Sequence, residues 1–103
     1  MLIVTMDSIP GRNLEPLGLV KGSTIQTVNA VRDIGAGLKT LIGGELTKYN
    51  EMMDMARQIA TDRMIDEARR LGADAIVGVR FSSASIMQSA AEIMAYGTAV
   101  RFG

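Results

Sequence analysis

The sequence predicts an α+β domain in which one long amphipathic helix packs on one face of a mostly antiparallel sheet. Two observations lead to this prediction. A helical pattern runs without interior Gly or Pro from Glu45 to Leu71. Segments of alternating apolar and polar residues, which are typical of strands, lie before and after it. The element order is therefore β-β-α-β-β, and residues 1–103 form a single domain.

The first two strands lie in the N-terminal quarter. Leu2 to Met6 is rich in β-formers and is followed by a Pro- and Gly-containing loop. Leu17 to Ala30 alternates between apolar and polar residues, so we expect a second, longer strand there. Gly22 within this strand predicts either a β-bulge or a point where another element approaches closely.

A helical region follows. Asn29 to Ile42 has apolar residues at near-helical spacing with two interrupting glycines, which predicts a short or irregular helical segment. Gly43 and Gly44 then separate it from the main helix. Glu45 places an acid in the first turn of that helix, two arginines lie in its last turn, and Gly72 is suited to end it.

The main helix has one wide apolar face. At 3.6 residues per turn its members are Leu46, Tyr49, Met52, Met53, Ala56, Ile59, Ala60, Met64, Ala68 and Leu71. Arg63 and Glu67 fall in the middle of this face, and Arg57 lies at its edge. We expect Arg63 and Glu67 to pair with each other or to extend to water, because a lone buried charge is costly. Met55 and Ile65 lie off the face and indicate a second covering surface.

Two further strands follow the helix. Ala73 to Ser83 and Glu92 to Phe102 both alternate between the two faces of a strand. Ser85 to Ala91 is small and polar, so we expect it to connect the two strands as a hairpin.

The amino-acid composition indicates self-association and argues against some classes of function. Of the 103 residues 48% are apolar, which is more than a small monomer easily buries, so self-association is expected. The 11 basic and 11 acidic residues balance, and no Trp is present, which argues against nucleic-acid binding. No membrane-spanning run or signal peptide is visible, so we expect a cytoplasmic protein.

The chain has no Cys and no His, which removes the usual nucleophile, general base and metal ligands. We therefore expect no enzymatic activity and no catalytic residue. A metal ion would need carboxylates, backbone oxygens or the thioethers of the eight methionines. Flexible filling of the core is the more ordinary role of those methionines.

Several sequence features together resemble one family. These are Arg32-Asp33, the Gly43-Gly44 pair, the run Leu-Gly-Ala-Asp-Ala at 71–75 and the ending Gly-Thr-Ala-Val at 97–100. Over nearly its whole length the chain is similar to the YbjQ-like family of small, uncharacterised bacterial and archaeal proteins, whose suggested role is heavy-metal binding. The resemblance implies a subunit like that of dodecin, assembled as a ring-shaped homopentamer that shares elements between neighbours.

The resemblance also implies positions to examine at a subunit junction. They are Arg32, Asp33, Gly43, Gly44, Tyr49 and Arg57. Two hypotheses remain open. In one, these residues bind a metal ion or a small anion between subunits of a non-enzymatic homo-oligomer. In the other, they pair with each other in a structural or interaction module that has no small ligand.

Overall fold

The computed structural model describes residues 1–27, 44–87 and 90–103. Its elements in chain order are β1 (Leu2–Ile3), β2 (Leu14–Thr27), α1 (Gly44–Arg70), β3 (Ala75–Met87) and β4 (Ala90–Phe102). The predicted α+β class and the β-β-α-β-β order are confirmed within these residues. The helical segment predicted for Asn29 to Ile42 lies outside them.

The sheet is mixed, with strand order β1-β3-β4-β2. The β2–β4 and β3–β4 pairs are antiparallel, whereas β1 pairs with β3 in parallel. The predicted hairpin is therefore present as β3 and β4. A sheet with two antiparallel pairs and one parallel pair also agrees with the prediction that it is mostly antiparallel, and it leaves β2 as an edge strand.

The strand limits differ from the prediction where pairing overrides local composition. The expected connection from Ser85 to Ala91 is wrong, because β3 continues through Met87 and β4 begins at Ala90. The small residues there complete the ladder, in which Ser85 pairs with Ala91. Strand β2 begins before the predicted Leu17, and its Pro16 is tolerated at an edge where the register shifts.

The first strand is shorter than predicted, since β1 ends at Ile3. Residues beyond it still follow β3. The N–H of Val4 donates to the carbonyl of Ile76 at 2.9 Å, and the N–H of Gly78 donates to the carbonyl of Met6 at 2.8 Å. The N-terminal segment is therefore held along β3 as far as Met6.

The main core lies between α1 and the sheet. Its buried members are Val20, Ala56, Ala60, Met64, Ala68, Ile76, Val79, Ile93, Ala95 and Ala99. The predicted apolar face of α1 is confirmed from Ala56 to Ala68, but Leu71 beyond the helix is 43% exposed. Ile65 packs partly against this core, so its predicted place away from the apolar face is wrong. Met55 does lie away from it and is 65% exposed.

At Gly22 the backbone of α1 comes very close to β2. A Cβ at this position would lie 2.2 Å from the backbone nitrogen of Met64 and 2.3 Å from the carbonyl oxygen of Ala60. Such distances leave no room for any side chain. Of the two roles predicted for Gly22, close approach is confirmed. The irregularity in β2 falls instead between Pro16 and Gly18.

The two charged residues on the apolar face bind the edge of the sheet. Arg63 donates from Nη1 to the carbonyl of Ser23 at 2.5 Å, and Glu67 accepts from the N–H of Lys21 at 3.3 Å. Of the two predicted alternatives, pairing of Arg63 with Glu67 is wrong, because each side chain reaches the backbone of β2 instead. Extension to water agrees with the exposure of Arg63. Together they satisfy two backbone groups of an edge strand that would otherwise be open.

Among the residues that the structure describes, those that cover the opposite face of the sheet lie at one end of it. There Ala75, Val77 and Val100 are buried with the partly buried Val4, Ile9, Leu14 and Phe102 packed against them. Further along β2 this face carries Leu19, which is 67% exposed, and Ile25, which is 55% exposed. The described part of the chain measures 55 × 26 × 16 Å, and its thin dimension agrees with one helix layer on one sheet layer.

Candidate functional site

The structure describes some of the predicted site residues and not others. Arg32, Asp33 and Gly43 lie outside the described residues. Gly44 is the first residue of α1, and Tyr49 lies near the start of that helix with its side chain outside the described part. Arg57 is the one predicted site residue whose side chain can be examined.

Arg57 lines a cavity of about 140 Å³ between α1 and the distal part of the β3–β4 hairpin. The lining residues are Met53, Arg57, Phe81, Ser82, Ser83 and Ile93. Met53 and Arg57 are four residues apart, so they lie one helical turn from each other on the same side of α1. On the sheet, Ser83 pairs in register with Ile93. The cavity therefore has walls from three elements.

The charge in this cavity is partly balanced by a neighbour. Arg57 Nη1 lies 2.7 Å from Asp54 Oδ1, and the side chains of Arg57 and Asp54 are 47% and 78% exposed. A guanidinium has five N–H donors, and this ion pair engages one nitrogen. The Arg57 carbonyl also accepts from Thr61 Oγ1 at 2.8 Å, which ties this turn of the helix together. Arg57 thus keeps donors for a further acceptor.

Five of the six lining residues of the cavity were not among the predicted site positions, and two of these five are exposed. Phe81 is 52% exposed although it is aromatic, and Ser83 is also exposed. Both belong to a strand whose alternation was recognised in the sequence. Nothing in the alternation indicates that Phe81 and Ser83 lie across from Arg57, because that depends on where the helix crosses the sheet.

Comparison with known proteins identifies the family. The whole chain, residues 1–103, matches the YbjQ family, whose description reads "Putative heavy-metal-binding". This chain belongs to the YbjQ family. The resemblance seen in the sequence is thereby confirmed.

Relatives in the YbjQ family are similar over nearly their whole length. A UPF0145 protein of Clostridium novyi is 54% identical over 98% of both chains. One from Alkaliphilus metalliredigens is 55% identical over 99% of both chains, and one from Thermus thermophilus is 54% identical over 98% of this chain and 90% of its own. These names assign no activity.

A solved structure supports the fold. A crystal structure of a protein of unknown function in the DUF74 family, from Pediococcus pentosaceus, superposes with a TM-score of 0.71 at 19% identity. The match covers 100% of this chain and 98% of that one. At this level of identity the likeness concerns the fold alone.

The metal named in the YbjQ family description does not fit the described residues. No group of three or more His, Cys, Asp or Glu side chains lies together in residues 1–27, 44–87 and 90–103. Several carboxylates there already have other partners. Asp54 pairs with Arg57, Asp66 lies 3.7 Å from Arg69, Asp62 accepts from Gln58, and Asp74 accepts from the N–H of Phe102.

The methionines of α1 do not supply a substitute. Met64 is fully buried in the core, Met52 and Met53 are half-buried, with Met53 beside the Arg57 cavity, and Met55 is 65% exposed. Four thioethers in such different environments suit packing better than a shared soft ion. In this YbjQ-family chain, no helix within the described ranges has the length and apolar character needed to cross a membrane.

Proposed function

We propose that this YbjQ-family protein is a non-enzymatic homo-oligomeric binding protein that holds a small anion in the cavity beside Arg57. One observation carries the proposal: a guanidinium with unused donors lines a cavity that also contains an exposed hydroxyl at Ser83. Both groups can donate to an oxyanion. A metal cation would be repelled by Arg57 and would find too few ligands.

The walls of the cavity favour a small oxyanion over a large ligand. A volume of about 140 Å³ accommodates a phosphate, a sulfate or a short carboxylate with a few waters. Met53, Phe81 and Ile93 provide apolar surface around the cation, and an ion pair is stronger where water is partly excluded. The anion competes with Asp54, so we expect modest affinity.

Self-association is the second component of the proposal. Leu19 and Ile25 are exposed on the face of the sheet opposite the helix, and a second copy that covers them removes apolar surface from water. The family resemblance implies a ring of five copies, with the predicted site residues near the junctions. We place the protein in the cytoplasm, without a nucleic-acid or membrane partner.

The alternative is an interaction module with no small ligand. One contact favours it, because the 2.7 Å ion pair with Asp54 gives the charge of Arg57 a partner within its own helix. In that case the arginine contributes to the surface of α1 and any saturable anion binding is absent.

The proposal is tested by titrating the protein with phosphate. Binding is measured by isothermal calorimetry and by the chemical shifts of backbone amides in NMR. We expect saturable binding with shifts at Phe81 and Ser83. The variant Arg57→Met keeps the apolar stem of the side chain and should weaken binding at least about tenfold, since it removes a charge-assisted hydrogen bond.

Arg69→Met is the matched control, because Arg69 also pairs with an aspartate three residues before it and is 64% exposed. It should leave phosphate binding unchanged. Equal weakening in both variants would indicate a general charge effect and contradict the site. No saturable binding to the wild-type protein would favour the interaction module, and a stoichiometric response to Zn²⁺ alone would favour a metal.

A further inference from the structure

A second cavity lies on the face of the sheet away from α1. It has a volume of about 320 Å³ and is lined by Asp7, Leu14, Pro16, Val77, Gly78, Thr98 and Val100. Val77 and Val100 are buried members of the small cluster on that face. Among the described residues this groove shares none with the Arg57 cavity, and it differs from that cavity in charge, since the one ionisable group in its described lining is a carboxylate.

A bulge in β3 creates the space. The register between β3 and β4 shifts between Val77 and Arg80, and Gly78 within this shift has a φ of +62°. That conformation is readily adopted by glycine and rarely by other residues. A Cβ at Gly78 would lie 3.5 Å from Asp7 Oδ1, so the missing side chain leaves the carboxylate directly above the bulge.

The backbone before Asp7 is held firmly against the same bulge. The N–H of Gly78 donates to the carbonyl of Met6 at 2.8 Å, and Arg80 Nη1 donates to the carbonyl of Thr5 at 2.9 Å. The nearby cation is thus engaged with a backbone carbonyl rather than with the carboxylate. Asp7 is placed at the groove by its neighbours in sequence.

Asp7 and Thr98, the polar side chains in the described lining of the groove, have no partner among the described residues, and Asp7 is exposed to water. Within the described ranges neither the Asp7 carboxylate nor the Thr98 hydroxyl makes a hydrogen bond or an ion pair. Thr98 is half-buried, and the floor beside it is apolar. A mostly apolar cavity with a few polar groups directed to one place is the usual form of a small-molecule site.

We propose that this groove binds a small organic cation, a primary ammonium group on a short alkyl chain. The ammonium donates to the Asp7 carboxylate and to the Thr98 hydroxyl oxygen, and the chain lies on Val77, Val100 and Leu14. A carboxylate that makes no ion pair with a described side chain, because the nearby Arg80 binds the carbonyl of Thr5, favours a positively charged ligand. A single carboxylate provides too few ligands for a divalent metal ion, which prefers several oxygens.

Amide NMR titration of the full-length protein with 1-aminopentane at neutral pH tests this site. Pentanoate and 1-pentanol, which have the same chain but a negative or a neutral head group, are the matched probes. We expect saturable shifts at Gly78 and Thr98 with the amine, at a dissociation constant of about 1–10 mM for so small a ligand. Pentanoate should produce no saturable shift there, and 1-pentanol a weaker one.

Two variants test whether Asp7 and Thr98 bind the ammonium group. Asp7→Asn should weaken amine binding at least about tenfold, and Thr98→Val, which keeps a β-branched side chain on the strand, about threefold. Asp62→Asn removes an exposed carboxylate from α1 and should change nothing, and Arg57→Met should also leave amine binding unchanged. Undiminished binding in Asp7→Asn, equal shifts with pentanoate, or no saturable shift with the amine would each overturn the proposal.

Discussion

The two faces of strand β2 differ strongly in how they are covered. On the side facing α1, Gly22 allows the helix backbone to approach so closely that no side chain fits between them. On the other side, Leu19 and Ile25 are more than half exposed. The main core of the subunit therefore lies on one face of the sheet, while the part of the other face that carries Leu19 and Ile25 is available for association.

The largest effect that tests this difference is expected from Gly22→Ala. The added Cβ meets backbone atoms of Met64 and Ala60 rather than a flexible side-chain end, so the helix must move away from the sheet. We expect a loss of about 3 kcal/mol or more in the free energy of unfolding, at the upper end of the cost of overpacking. Urea unfolding at a fixed protein concentration measures it. A loss below about 0.5 kcal/mol, the range of ordinary surface substitutions, would contradict the close contact.

A pair of methionine variants compares the buried and exposed sides of α1. Met64 is fully buried and Met55 is 65% exposed. Met64→Ala should cost about 2–5 kcal/mol because it leaves a cavity in the core, whereas Met55→Ala should remain within about 0.5 kcal/mol. Thermal unfolding of the two variants side by side gives the difference. Similar losses in both would show that α1 packs on the sheet through a different face.

A smaller effect is expected where the helix binds the edge of β2. Glu67→Met removes the acceptor for the N–H of Lys21, and we expect a loss of about 1 kcal/mol. Asp66→Asn is the control, since Asp66 and Arg69 are both exposed and 3.7 Å apart, and such pairs contribute little. Hydrogen exchange at the Lys21 amide should accelerate only in the Glu67 variant. Unchanged exchange there would contradict the edge contact.

The sequence predicts the helix and the order of elements well because their signals are local. The predicted start at Glu45 and the observed start at Gly44 differ by one residue, since glycines and terminal charges mark helix ends directly. The strand limits near Ser85 and Leu14 depend on pairing with β4, which no local pattern reveals. The backbone partners of Arg63 and Glu67 could not be predicted for the same reason, because they lie 40 and 46 residues away in sequence.

The candidate site could be predicted only in part. Arg57 was identified through the family resemblance and its place at the edge of the apolar face, and its partner Asp54 is within reach of helical spacing. Phe81 and Ser83 come from a strand more than 20 residues further along. Phe81 and Ser83 lie across from Arg57 because α1 packs closely on β2 at Gly22, and this contact fixes the position of α1 on the sheet. The groove at Gly78 likewise depends on a bulge that alternation does not indicate.

The proposed homo-oligomer is tested most directly by native mass spectrometry of the wild-type protein and of Leu19→Lys. Leu19 is 67% exposed on the open face, so a lysine there should leave the subunit folded while opposing its coverage by a second copy. For the wild type we expect one closed assembly, with five copies of the 11.0 kDa chain as the family resemblance implies. The variant should dissociate to smaller species with unchanged helical circular dichroism. A monomeric wild type, or a variant whose assembly is as stable as that of the wild type, would contradict the role assigned to the open face.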